Sequence, residues 1–341
     1  MELLQRPGFD ADHEDFAQSV RRFLADHVVG HLEEWRAVGG FDRGLFAAAG
    51  EQGFLGTTVP EELGGAGLDD PRFAAVMVEE TAATGAAGIA LVAARHVGVV
   101  LPALVAAASP QHVAGLATGE LIGCVAVMSA EGRASGVPGA AVADVFVLVD
   151  AADPERFVVV RRDELEVVPT PLLGGAEAAA ADVVVPAGAL GGPGYDTPGL
   201  RASIDLWDAV VSVGAAGAAF DLTVDYVQDR SVFGRKLATF ENTRFRLAEV
   251  GAELTAVRGL VDSALSQLAA GALSPALAAA ARILAAQVHD RAVDQGMQLH
   301  GGYGYMREYA IAHAFGDARF VRVASAAASE PRAVLAAALG L

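Results

Sequence analysis

Two segments gather the residues best suited to holding a polar ligand. In YVQDRSVFGRKLATFENTRF, Arg230 and Arg235 flank an aromatic, Phe233, and a glycine, Gly234, where a helical pattern breaks. A guanidinium grips phosphate oxygens through charge-assisted hydrogen bonds, and a nearby ring gives a flat ligand apolar contact. The same residues also suit an inter-helix turn, with the arginines bridging to acids and Phe233 filling the core. The second segment, QGMQLHGGYGYMREY, places Gln298 before the pair Gly301 and Gly302. A side-chain amide both donates and accepts, and glycine backbone can be approached without obstruction by a Cβ. Read plainly, this is a helix terminus covered by Tyr303 and Tyr305. His300 has neither nucleophile nor metal shell beside it and reads as a packed polar residue. Cys124 is the single cysteine, which excludes an intrachain disulfide and a cysteine-built zinc or iron–sulfur site.

The elements that must position these groups follow from periodicity. Over residues 12–28, Phe16, Val20 and Phe23 share one stripe among acids and arginines, the pattern of a surface helix. GLFAAAGEQ predicts a second helix, and TTVPEELGGAGLDDP a turn-rich link marked by Pro60, Gly64 and Gly65. GIALVAARHVGVVLPALVAAA predicts one or two core helices broken or entered at Pro102, followed by a short cap in SPQHVAGLATG. From Leu121 the composition changes. IGCVAVM, ADVFVLV, RFVVVRR and ADVVVP are valine-rich runs separated by Gly, Pro and Asp, which favour strands. GGPGYDTPG closes this part. Beyond it, three long helical patterns predict an antiparallel bundle, with Ser274 capping a helix that begins at Pro275 and a short final helix in EPRAVLAAAL. The expected organisation is α+β and multidomain: an N-terminal helical domain over 1–120, a middle β-domain over 121–196 and a C-terminal four-helix bundle over 197–341. Helix, then strand, then helix disfavours a Rossmann sheet, and no GxGxxG follows a convincing first strand.

Composition narrows the partners. With 24 Lys+Arg against 42 Asp+Glu the net charge is -18, a poor match to nucleic acid. Residues are 53% hydrophobic and 19% charged, enough for a large core and unlike a disordered acidic tail. The start, MELLQRPGFDADHEDF, lacks the pattern of a secretory signal. Arg95, His96 and Pro102 interrupt the best imitation of a membrane span. A cytoplasmic protein without a membrane span is expected.

In order along the chain, GLFAAAGEQGFLGTTVPEELGGAGL, ATGELIGC, ADVVVP, YVQDRSVFGRKLATFENTRFRLAE and MQLHGGYGYMREY with DAR at 317–319 closely resemble the acyl-CoA dehydrogenase family. The resemblance spans nearly the whole chain and implies the same three domains and FAD-dependent α,β-desaturation of an acyl-CoA thioester. It implies that Arg230 contacts the FAD diphosphate, that Phe233 packs near its adenosine end, and that Gln298 with the Gly301–Gly302 backbone receives the adjoining part. In the family these groups reach across a dimer interface to FAD held largely by the neighbouring subunit.

Other expected features are missing. Where many members carry a TEPxxGSD-like segment, this chain has VMSAEGRASGVPG; Ser129 can donate a hydrogen bond there, but the match that would name it a flavin ligand is lost. The usual tryptophan-threonine segment is not recognisable. Counting beyond Arg319 to the family's catalytic glutamate reaches Ser325, whose hydroxyl is a poor base. A second family location aligns with Ile204. Asp205, Asp208 and, through a loop shift, Glu330 are the reserve candidates, and no catalytic residue is assigned. The resemblance thus implies a cofactor-completing, non-catalytic subunit of a heterotetrameric acyl-CoA dehydrogenase. A sister subunit would supply the glutamate, an electron-transfer flavoprotein or similar acceptor would take the electrons, and the substrate range would extend to bulky, sterol-like acyl groups. The alternatives are a self-sufficient dehydrogenase with a displaced acid and a non-enzymatic acyl-CoA-binding or scaffold protein.

Overall fold

The computed structural model describes residues 6–107, 110–186, 194–328 and 330–341. The first part of the acidic start, Ser109 of the expected short cap and residues 191–193 of the expected boundary segment lie outside them.

The first domain is helical: α1 (Ala11–His27), α2 (Leu32–Val38), α3 (Gly44–Glu51), α4 (Arg72–Ala83), α5 (Ala87–Arg95), α6 (Leu101–Ala106) and α7 (Val113–Ala117). The Asp10 carboxylate accepts from the amides of Asp12 and His13 and so satisfies two of the donors that a helix start leaves without partners. One face of α1 buries Ala17, Val20 and Leu24. Phe16 stands edge-on to Phe54 and Phe73, and Phe23 edge-on to Phe54. Between α5 and α6 the helix widens into a π-turn over His96–Val100, and Pro102 falls in the first turn of α6. The disturbance therefore precedes the proline. His96 anchors it: Nε2 donates to the Leu116 carbonyl at 3.0 Å while Nδ1 accepts from the Gly123 amide at 3.0 Å. These bonds tie the turn to α7 and to the first strand.

The middle domain holds β1 (Gly123–Met128), β2 (Arg133–Val137), β3 (Val145–Asp150), β4 (Asp153–Arg161), β5 (Glu166–Pro169), β6 (Ala181–Val184) and β7 (Tyr195–Asp196). They form two sheets, ordered β1-β3-β4-β7 and β2-β6-β5. β1 and β3 run parallel, with Gly123 opposite Val145, and the remaining pairs are antiparallel. Burial of nearly all of β1 and β3 accounts for their continuous valine runs.

The C-terminal part contains α8 (Leu200–Asp229), a hairpin of β8 (Ser231–Val232) and β9 (Arg235–Lys236), α9 (Glu241–Ala269), α10 (Pro275–His300), α11 (Ala310–Ala328) and α12 (Pro331–Ala338). Ser274 Oγ accepts the Leu277 amide at 3.4 Å and caps α10, which Pro275 opens. α8 packs against α9, α10 and α11 on one side and α4 and α5 on the other. α11 stays helical through Ser325 to Ala328, and Glu330, the acid considered through a loop shift, caps α12, accepting from the Arg332 amide and Nε at 3.1 Å.

Two helical stretches, Ala87–Ala106 and Leu200–Asp229, have the length and hydropathy of a membrane span. Their most apolar windows are 83% and 61% buried inside the protein, as core helices are.

Candidate functional site

The end of the bundle carries the first candidate site. α8 stops at Arg230, and the hairpin that follows turns at Phe233 and Gly234, with φ of +51° and +79°. Two successive left-handed residues make a two-residue turn of the tight hairpin kind, which normally uses Asn-Gly. A phenylalanine at positive φ is strained, and its ring is 98% exposed. The core-filling reading of Phe233 is thereby excluded.

Beside this hairpin a cavity of 440 Å³ is lined by Tyr226, Arg230, His300, Gly301, Gly302 and Tyr303, among others. The Arg230 guanidinium lies 5.0 Å above the Tyr303 ring, and no described carboxylate pairs with it. Gly301 has φ +58°, and a Cβ added at Gly301 or Gly302 would meet nothing within 4 Å. An exposed cation beside bare, accessible backbone fits an anionic, phosphate-bearing group. Three of the five expected cofactor residues, Arg230, Gly301 and Gly302, therefore line one cavity. Gln298 points outward from the last turn of α10, where its carbonyl accepts the Gly301 amide, and Phe233 stands off on the hairpin.

Tyr226 and His300 are additions that the sequence did not single out as ligand-facing. Their rings stack at 3.7 Å, and His300 Nδ1 donates to the Gly296 carbonyl at 2.7 Å. Burial lowers the His300 pKa, so the ring packs as a neutral imidazole. Only the i, i+4 relation of His300 to Gly296 was visible beforehand.

The second candidate site is a cleft of 250 Å³ between the middle domain and the inner helices, lined by β1, β2, Ser129, Arg95, Ala324 and Ala327. No carboxylate is among its described lining residues. Ser325 lies beside it on α11; its buried Oγ has no hydrogen-bond partner. Asp208 is held by Arg95, with Nε to Oδ1 at 3.2 Å and Nη2 to Oδ2 at 3.0 Å, and Asp205 by Arg282 Nη1 at 2.5 Å. Both aspartates are buried. A carboxylate locked to a buried guanidinium cannot swing to a substrate proton without stranding the cation. Cys124, on β1, is buried and its thiol is pushed up to about 12, which makes it inert.

A helical domain, a β-domain and a helical bundle follow in this order, with a cation and open glycine backbone at the bundle's end, which defines a three-domain α-β-α architecture. Residues 10–116 match the model of the acyl-CoA dehydrogenase N-terminal domain, and residues 208–327 that of the acyl-CoA dehydrogenase C-terminal domain. The chain belongs to the acyl-CoA dehydrogenase family. It is 30% identical to acyl-CoA dehydrogenase IpdE2 of Mycobacterium tuberculosis, over 79% of this chain and 78% of that one. It is 29% identical to the long-chain specific mitochondrial enzyme of Sus scrofa, over 91% and 82%. Among solved structures, the acyl-CoA dehydrogenase of Geobacillus kaustophilus superposes with a TM-score of 0.87 at 24% identity, covering 99% of this chain and all of that one. An acyl-CoA dehydrogenase of Bacillus anthracis, complexed with FAD, superposes at 0.83 with 21% identity, covering 98% of this chain and 68% of its own.

Proposed function

We propose that this chain is the cofactor-completing, non-catalytic subunit of an FAD-dependent, heteromeric acyl-CoA dehydrogenase, assembled as α2β2, that desaturates an acyl-CoA thioester between Cα and Cβ. The observation that carries the reading is the base position. The resemblance puts Ser325 at the position of the family's glutamate, no carboxylate is among the described residues lining the cleft beside it, and Asp205, Asp208 and Glu330 are all engaged elsewhere. A sister subunit supplies the glutamate that takes the α-proton.

The groups at the end of the bundle fit FAD. Arg230 and the Gly301–Gly302 backbone suit its diphosphate, and Phe233 and Gln298 the flanking adenosine side. Bound FAD supplies the acceptor for the β-hydrogen, which leaves as hydride. The residues of this chain bind and orient: Arg230 neutralises phosphate charge despite the net charge of -18, because close contacts need not share the sign of the whole surface. Phe233 contributes a rigid apolar face held outward by its turn. A cleft of 250 Å³ lies below the roughly 300–1,000 Å³ usual for ligand pockets. We therefore place the acyl group, including a bulky sterol-like one, in the sister's site. An electron-transfer flavoprotein or similar acceptor reoxidises the complex, and a cytoplasmic setting suits the lone free thiol.

Co-expression with the chain encoded beside it, followed by native mass spectrometry, tests this. The expected result is a mixed oligomer carrying fewer FAD molecules than polypeptides, with turnover abolished by changing the sister's glutamate to glutamine. A homo-oligomer with one FAD per subunit and a normal rate would overturn the proposal; selective loss of that rate on replacing Asp205, Asp208 or Glu330 would then identify a self-sufficient enzyme. Acyl-CoA binding without flavin absorption in any assembly would identify a non-enzymatic relative.

A further inference from the structure

We infer that the ion pair between Arg95 and Asp208 seals the inner end of this chain's own cleft, making Arg95 the residue that excludes an extended acyl group from it. The inference rests on the reading above that the acyl group binds in the sister's site and not in the cleft between β1, β2 and α11.

Arg95, at the end of α5, lines the cleft, whereas no described residue of α8 does. Its guanidinium reaches past the cleft wall to Asp208 on α8, and Nη2 also donates to the Ala324 carbonyl on α11 at 3.2 Å. One side chain thus bridges three helices and stands between the cavity and α8. Both partners are buried, the arginine 3% and the aspartate 1% exposed. Next to Asp208 in the chain, Trp207 lies against Gly98, where an added Cβ would come within 2.1 Å of the indole. That close approach requires the glycine. A hydrocarbon chain entering from β1 and β2 meets a guanidinium fixed by three hydrogen bonds. To pass, it must separate two buried charges, leaving each without the partner that offsets its desolvation, and it offers neither of them a hydrogen bond in return. A neutral wall of leucine or methionine would yield by changing rotamer; this one does not.

The test counts ligand bound to the co-expressed complex. The probe is S-octyl-CoA, a thioether that cannot turn over, and native mass spectrometry reads the number bound per pair of unlike chains. The wild-type complex is expected to bind one. R95A/D208A removes both charges and opens the wall, and is expected to bind two. R95M/D208L keeps the volume without the charge, and because its neutral side chains can change rotamer it is expected to admit the second ligand as well. Should R95A/D208A lose its fold, judged by thermal melting, R95S/D208N, which retains polar groups at the buried site, replaces it in the same count. Two ligands per pair in the wild type would overturn the inference, as would one ligand per pair in a folded opening variant. If this chain proves to be a homo-oligomer, the heteromer reading fails but the seal is still tested: no ligand per chain in the wild type and one per chain in R95A/D208A support it, and one per chain in the wild type overturns it.

Discussion

Arg36 on α2, Glu177 just before β6 and Asp317 on α11 join all three domains around one cation, and replacing Glu177 by glutamine should change how stability responds to pH. Arg36 Nη2 donates to Asp317 Oδ2 at 3.2 Å, and Nε lies 3.4 Å from Glu177 Oε2. Asp317 Oδ1 accepts the Gly175 amide at 2.7 Å and Glu177 Oε1 the Gly88 amide at 3.0 Å, while Glu177 Oε2 has no hydrogen bond. His289, His313 and Glu33 line the cavity that adjoins Asp317. Burial, with the neighbouring Glu177 charge, raises Asp317 to about 8. The folded protein therefore holds a proton that the unfolded chain, with an ordinary aspartate pKa of about 3.9, has released. The stabilisation is complete below about pH 4 and is lost as pH rises toward 8. One proton sets a ceiling of about 1.4 kcal/mol per pH unit, or about 2.7 kcal/mol between pH 5.5 and 7.5. At about 2.1 cal/mol/K of unfolding entropy per residue, that corresponds to a fall of about 4 °C in melting temperature. In E177Q the neighbouring charge is gone while the burial remains, so Asp317 ionises at a lower pH and this fall should shrink. Urea unfolding of both proteins at half-unit pH intervals measures the difference. Stability curves that run parallel to within about 0.3 kcal/mol across that window would refute a part for the Glu177 charge in raising Asp317.

Arg230→Ala should weaken FAD retention by about 10- to 100-fold, the worth of a charge-assisted hydrogen bond, with little change in melting temperature because Arg230 is exposed; flavin fluorescence after gel filtration reads it. Phe233→Asn should raise stability by about 1 kcal/mol, since asparagine tolerates positive φ, while lowering FAD retention; opposite movements in melting and flavin content are the signature, and a joint fall would contradict it. Gly98→Ala should destabilise by about 1–3 kcal/mol through overpacking against Trp207, measured by denaturant midpoint. Arg95→Leu alone should cost about 3–5 kcal/mol by stranding buried Asp208, with R95L/D208L recovering most of it; equal losses in the single and double variants would show that the charge is not the cause.

The parts of the fold set by local rules were legible in the sequence. The stripe of Phe16, Val20 and Phe23, the cap at Ser274 and the glycine bend after His300 each depend on neighbours within a turn or two. What depends on distant partners was not. The π-turn at His96 is fixed by Leu116 and Gly123, 20 and 27 residues away, so the visible proline drew attention instead. β2 lies in RASGV, whose mostly non-valine residues look like loop and become a strand by pairing with β6. Arg95 read as an interruption in an apolar run, because its partner Asp208 is 113 residues further on. At the bundle's end the sequence offered Phe233 as either core or contact, and only its exposure decides between them.

The hairpin at Phe233 has a kinetic consequence. Its strain is borne before anything binds, and its two-residue turn, closed by the pairing of Val232 with Arg235, leaves little freedom to lose. A surface already bent into its bound shape spends almost no ordering entropy on association. Whatever covers the ring should therefore dock at a rate set by diffusion and orientation rather than by loop rearrangement, and changes at this tip should appear mainly as altered residence time.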